Sequence, residues 1–159
     1  ASSYRYFHSL VRMVSQLTSW LPHEITLFIM FFSLRFGFNP GSALVIDNPD
    51  SAATAALCAV ATAIAAACGS VTAMFTDSLI VARSEGGVAS YDLTMAMNGA
   101  LSGLVAITAG CAVVSPGAAV FIGIVSGWLY YGFSKLLIRL RINDAVDAIP
   151  VHFANGLWG

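Results

Sequence analysis

The sequence predicts an all-α membrane protein, a polytopic bundle of four complete transmembrane helices and the start of a fifth. Three observations point there. Of 159 residues, 58% are hydrophobic and 9% charged, whereas roughly a quarter of a soluble domain is charged. The apolar residues gather into runs of bilayer length, separated by turn signals. Small residues recur at four-residue spacing (Gly37 and Gly41, Gly99 and Gly103, Gly123 and Gly127), which lets helix backbones approach closely and favours a compact bundle.

Residues 1–22 mix aromatic, basic and polar side chains with no sustained apolar run and read as a loop or interfacial segment. His8 and His23 fit a solvated or headgroup setting. After Pro22 the first span covers 25–46, about 33 Å at the rise of an α-helix. Asp47-Asn-Pro-Asp-Ser51 is a turn with a helix cap, and the alanine-rich second span covers 52–75. Thr76 to Tyr91, with Asp77, Arg83, Glu85 and Gly86-Gly87, reads as a polar connection. Asp92 then caps the third span, 93–114. Ser115-Pro116-Gly117 is a short turn with Ser as cap and Pro at the first helical position, opening the fourth span, 117–140. A fifth, 145–159, is truncated; the chain lacks an initiator Met and stops inside an apolar run, so it reads as an internal fragment.

With the spans alternating, Arg5, Arg12, Arg83, Lys135, Arg139 and Arg141 fall on one side, and the opposite loops carry Asp47 and Asp50. The positive-inside rule puts the basic side in the cytoplasm. Arg35 breaks that rule from inside the first span. The net charge of −1 and the lack of a basic cluster exclude a nucleic-acid partner. Cys58, Cys68 and Cys111 lie in apolar runs without zinc-site spacing and pack as small apolar residues. The sequence calls for no metal and no cofactor.

The residue that needs explaining is His152, an ionisable side chain in the last apolar helix. It lies about 12 Å past Asp144, near the middle of a core of about 30 Å. Asp144 and Asp147 read as caps of that helix in a carboxylate version of the capping box. Pro150 lacks the N–H that would bond Val146, which predicts a bend where His152 points inward. On the first span, Phe38 and Ser42 lie one turn apart and further out. A hydroxyl can accept from an N–H donor, a ring face attracts a cation, and an imidazole can take or give a proton. Each also has a plainer reading: Ser42 bonding its own helix, Phe38 packing in the core, His152 as a structural histidine. Asn98 and Thr108 read as interhelical hydrogen-bonding groups or as polar points on a path.

Three stretches resemble the ammonium transporter, methylammonium permease and Rhesus family: Phe36-Gly-Phe-Asn-Pro-Gly-Ser-Ala43, Tyr91 to Cys111 (YDLTMAMNGALSGLVAITAGC), and Asp144 to Gly159. Together they cover about Pro22 to the end, and the first points to the ammonium transporter branch. The resemblance implies an eleven-span, plasma-membrane, multi-pass protomer of a homotrimer, built from two inverted five-span repeats, with this chain as the second. It implies Ser42 as the outer-vestibule hydroxyl that recruits ammonium, Phe38 as one of two stacked gate rings, and His152 as one of twin pore histidines. Asp144 and Asp147 match the family's acids ahead of that histidine. Ammonium would be deprotonated near the gate and ammonia would pass along the histidines, with the proton moving by a relay. The partner histidine and second gate ring lie upstream, so this stretch alone is not expected to conduct. The family usually has tryptophan where this chain has Arg35, a pore-lining position at which a guanidinium would repel ammonium.

Two other functions compete. An ammonium sensor could use the same fold. An intramembrane serine protease could pair Ser42 with His152, although their depths differ by about 14 Å along the membrane normal, too far for a catalytic dyad.

Overall fold

The computed structural model describes residues 23–42, 48–84 and 91–159. Its elements run α1 (His23–Gly41), α2 (Pro49–Ser84), α3 (Leu93–Ile107), α4 (Pro116–Leu140), a π-helical turn (Ile149–Ala154) and α5 (Asn155–Trp158). Among the described residues there is no strand. The architecture is therefore all-α. Among the described residues two helices, Pro49–Arg83 and Pro116–Leu140, are long and apolar enough to cross a membrane, and Leu93–Ile107 is a shorter apolar helix. The segment 1–22 and the end of the first span, 43–46, lie outside the described residues, as do Glu85 and Gly86-Gly87 of the connection.

The helix ends follow from local chemistry. Asp92 accepts from the Thr94 N–H at 2.8 Å and starts α3. Ser115 accepts from the Ala118 N–H at 3.3 Å, with Pro116 opening α4; such a cap contributes about 1 kcal/mol. At the far end of α4, Arg141 adopts the left-handed conformation (φ 56°), and its N–H and that of Ile142 close the last carbonyls.

Two boundaries correct the sequence reading. The stretch from Thr76, taken as a connection, is helical through Ser84. Asp77 there is buried and forms an ion pair with Lys135 of α4 at 3.1 Å, so a partner on the next helix neutralises the charge that looked like a loop signal. Conversely α3 stops at Ile107, not Val114. The Thr108 hydroxyl donates to the Leu104 carbonyl at 2.8 Å, and the chain then tightens, with the Thr108 and Gly110 N–H groups bonding carbonyls three residues back. A side chain that competes for backbone groups, followed shortly by glycine, ends the helix.

The core is made of small residues. α3 and α4 both approach α2 through glycines, and they also touch each other. A Cβ on Gly103 would strike the Ala65 carbonyl, and one on Gly99 would lie 2.6 Å from the Gly69 carbonyl. On α4, Cβ atoms on Gly123 and Gly127 would lie 2.5 Å and 2.8 Å from the same two carbonyls. Both paired motifs of α3 and α4 thus serve close helix contact. The third does not: Cβ atoms on Gly37 and Gly41 would meet nothing within 4 Å. Cys58 and Cys111 are buried with Ala61, Ala65, Ile107 and Ala119, packing as small apolar residues.

Candidate functional site

Asp144 introduces the last helical segment. Its carboxylate accepts from the Ala148 and Ile149 N–H groups at 3.0 and 2.7 Å, but the helical segment begins at Ala148–Ile149 and not directly after Asp144, so Asp144 serves its first amides from outside the helix and is not its N-cap. Asp147 does something else. It has φ 52°, and its carboxylate accepts from the Tyr130 hydroxyl at 2.7 Å and the Ser134 hydroxyl at 3.2 Å, both on α4. The capping-box role for Asp147 is therefore corrected: a left-handed residue before the helix turns its side chain across to the neighbouring helix. Tyr130 is fully buried and also accepts from the Asn98 amide of α3 at 3.2 Å. One network thus ties α3, α4 and the start of the last helix together.

Pro150 does not bend the middle of a helix. It stands in the first turn of the π-helical segment, where a missing N–H leaves no intrahelical bond unmade. The irregularity falls in the hydrogen bonding instead: the Asn155 side-chain amide donates to the Pro150 carbonyl at 2.9 Å.

His152, two residues on, lines a cleft of about 310 Å³. The sequence put this side chain inside the protein; in the described residues it is exposed. Phe28 and Phe31 of α1, Thr94 and Asn98 of α3, and Asp147 help to line the cleft. The Phe31 ring stands 6.2 Å from the imidazole, centroid to centroid.

From Phe31 outward, Arg35, Phe38 and Ser42 follow at spacings of four, three and four, which puts them on one side of α1. The Arg35 guanidinium lies 5.8 Å from the centre of the Phe38 ring, within cation–π range, and donates to the Thr108 hydroxyl at 3.3 Å. Phe38 itself is exposed. The Ser42 hydroxyl donates to the Phe38 carbonyl at 2.8 Å, the plainer of its two readings. Its proton goes to its own helix, its oxygen retains lone pairs, and the protease reading gains nothing from it.

The sequence-predicted residues thus divide. His152, Asn98 and Asp147 meet in one cleft; Arg35, Phe38 and Thr108 form a second cluster one turn outward; Ser42 marks the end of that face. Asn98 and Thr108 both bond between helices, as expected of polar residues in such spans. Sequence reasoning missed Phe31, whose signal was its four-residue spacing from Arg35. It also missed Tyr130 and Asn39. Asn39 is buried and donates to Thr62 of α2 at 3.0 Å, holding α1 against the core. Tyr130 offered no signal, being one aromatic among several in an apolar run.

With this geometry in place, comparison with known proteins is decisive. The Ammonium Transporter Family profile matches residues 25–159. The chain belongs to that family. A relative from Synechocystis sp. is 43% identical over 124 residues, 78% of this chain and 27% of that one. Ammonium transporter Amt2 of Archaeoglobus fulgidus is 41% identical over 133 residues, 83% of this chain and 26% of the relative. Among solved structures, Saccharomyces cerevisiae Mep2 superposes with a TM-score of 0.72 at 29% identity, covering 83% of this chain and 28% of Mep2. The chain spans about a quarter of the length of the curated relatives it matches.

Proposed function

We propose that the full-length protein moves ammonium or ammonia across a membrane, recruiting ammonium at the outer face, deprotonating it and passing it along a histidine-lined pore. The observation that carries this reading is the series on one face of α1. Ser42, Phe38 and Arg35 lead inward to Phe31, and Phe31 faces His152 at 6.2 Å in the cleft. Hydroxyl, ring and imidazole are the groups that recruitment, cation discrimination and proton exchange require. Family membership supports the same substrate.

In this reading Ser42 is the recruiting hydroxyl, Phe38 a gate ring, His152 a pore histidine, and Asn98 and Thr108 polar points along the path. Asp144 and Asp147 support His152 from behind. The domain occupies 23–159, with spans at about 25–46, within α2, within α3 as far as Ile107, at 117–140, and from Ala148 onward. It forms the second of two inverted repeats in an eleven-span protomer, which assembles as a homotrimer in the plasma membrane with its basic loops in the cytoplasm. The stretch alone does not conduct. The test is growth of a transporter-deficient host on low ammonium. The full-length protein should restore growth and its His152→Ala variant should not; no growth from either, with protein in the membrane, counts against transport.

A further inference from the structure

Arg35 is the single charged residue between Ile25 and Gly41, and its planar guanidinium carries five N–H donors. It is half-buried and held in place. The Thr108 hydroxyl gives its proton to Leu104 at 2.8 Å, so its lone pairs are left for the guanidinium at 3.3 Å. The Phe38 ring lies on another side at 5.8 Å. Both partners are neutral. Among the described residues the ion pair is Lys135–Asp77, elsewhere in the fold, and no carboxylate stands within ion-pair distance of Arg35. The positive charge is thus fixed in position without being cancelled.

Its place along α1 decides what that charge does. Arg35 stands one turn from Phe31, which faces His152, and three residues before Phe38. A molecule moving along this face from Ser42 to the cleft passes the guanidinium. A moving cation is repelled there, and weak dielectric screening lengthens the reach of the repulsion. A small neutral molecule with a lone pair is not repelled, and the guanidinium has N–H donors beyond the one given to Thr108 with which to meet it.

On the transport reading above, we propose that Arg35 is a charge filter: it passes ammonia between Phe38 and His152 and holds back ammonium and other monovalent cations. Ammonium loses its proton to water on the outer side, the N–H electron pair stays on nitrogen, and ammonia crosses alone. The overall movement carries no charge.

The test uses the full-length protein in liposomes, with wild type, Arg35→Met, Arg35→Lys and Thr108→Val. Two quantities are read on an ammonium gradient: alkalinisation of the lumen, which reports ammonia entry, and electrical current, which reports charge. Wild type should alkalinise the lumen with current at the level of empty liposomes. Arg35→Met should raise current per unit of ammonia flux by roughly tenfold or more, as expected for removing one fixed charge from a weakly screened path. Arg35→Lys, which keeps a positive charge, should keep current low. Thr108→Val, which frees the guanidinium, should give an intermediate value. Current in wild type that matches its ammonia flux overturns the filter, as does an unchanged ratio in Arg35→Met. If ammonia flux is absent from all four proteins, the transport reading falls and the filter with it; flux that ignores Arg35 removes the filter alone.

Discussion

Gly123→Ala tests the packing that positions everything else. A methyl group at Gly123 would sit 2.5 Å from the Ala65 carbonyl oxygen, 2.7 Å from the Cys68 Cβ and 3.0 Å from the Ala65 Cα. Ordinary contacts begin near 3.4 Å, so the overlap with the oxygen is about 0.9 Å (3.4 − 2.5). Two of the three obstructing atoms are backbone, which cannot rotate away, so α4 must retreat from α2 by nearly that amount. Overpacking of this kind costs about 1–3 kcal/mol, and a gap approaching 1 Å opened along the rest of the interface forfeits a quarter to a half of its dispersion energy. The expected total is at the upper end, about 3 kcal/mol. Gly132 is the control, because it lies on the same helix with nothing within 4 Å of its would-be Cβ. Gly132→Ala should be neutral or stabilise by about 0.5–1 kcal/mol, since alanine is the better helix former. The assay is reversible denaturant unfolding of the full-length protein in mixed micelles. Equal stability of Gly123→Ala and Gly132→Ala would refute the claim that α2 and α4 meet backbone to backbone.

Two further perturbations address the support of His152. Tyr130→Phe removes a hydroxyl that bridges Asn98 and the Asp147 carboxylate; a hydrogen bond to a charged group contributes about 1.5–3 kcal/mol. In a double-mutant cycle with Asp147→Asn, the two changes should be non-additive by at least about 0.5 kcal/mol, and simple additivity would show that they do not act on each other. Asp144→Ala leaves the Ala148 and Ile149 N–H groups without their carboxylate, costing about 0.5–2 kcal/mol. Hydrogen exchange at those two amides should accelerate while exchange within α4 stays as in wild type.

Elements specified by neighbours in sequence were legible without the structure. Asp92 and Ser115-Pro116 start helices through side chains two or three residues from the amides they cap, and the four-residue glycine pairs of α3 and α4 announced close contact. What depended on another helix was not legible. Asp77 looked like part of a loop because Lys135, far along the chain, neutralises it. Asp147 looked like a cap because Tyr130 and Ser134 cannot be seen from Asp144. Gly37 and Gly41 show the same limit in reverse: identical spacing, with nothing among the described residues within 4 Å of their would-be Cβ atoms. At the candidate site the residue types on the α1 face were readable from helical spacing. The pairing of Arg35 with Thr108, across 73 positions of sequence, was not.

The glycine contacts that α3 and α4 make on the same two carbonyls of α2 also limit where this protein can move. Helices separated by side chains can slide as those side chains change rotamer, but α2, α3 and α4 meet at carbonyl oxygens and have little such slack. α1 rests on this trio through larger side chains, Phe28 and Phe32 against the Ala66, Ala100 and Leu104 cluster, together with the bonds from Asn39 to Thr62 and Arg35 to Thr108, and the segment from Ile149 onward packs Val151 against Ala73 and Tyr130. These two parts carry Phe38 and His152. The residues proposed to meet the substrate thus sit on parts that reach the trio largely through side chains, where a change of rotamer leaves more room for adjustment than a glycine contact does.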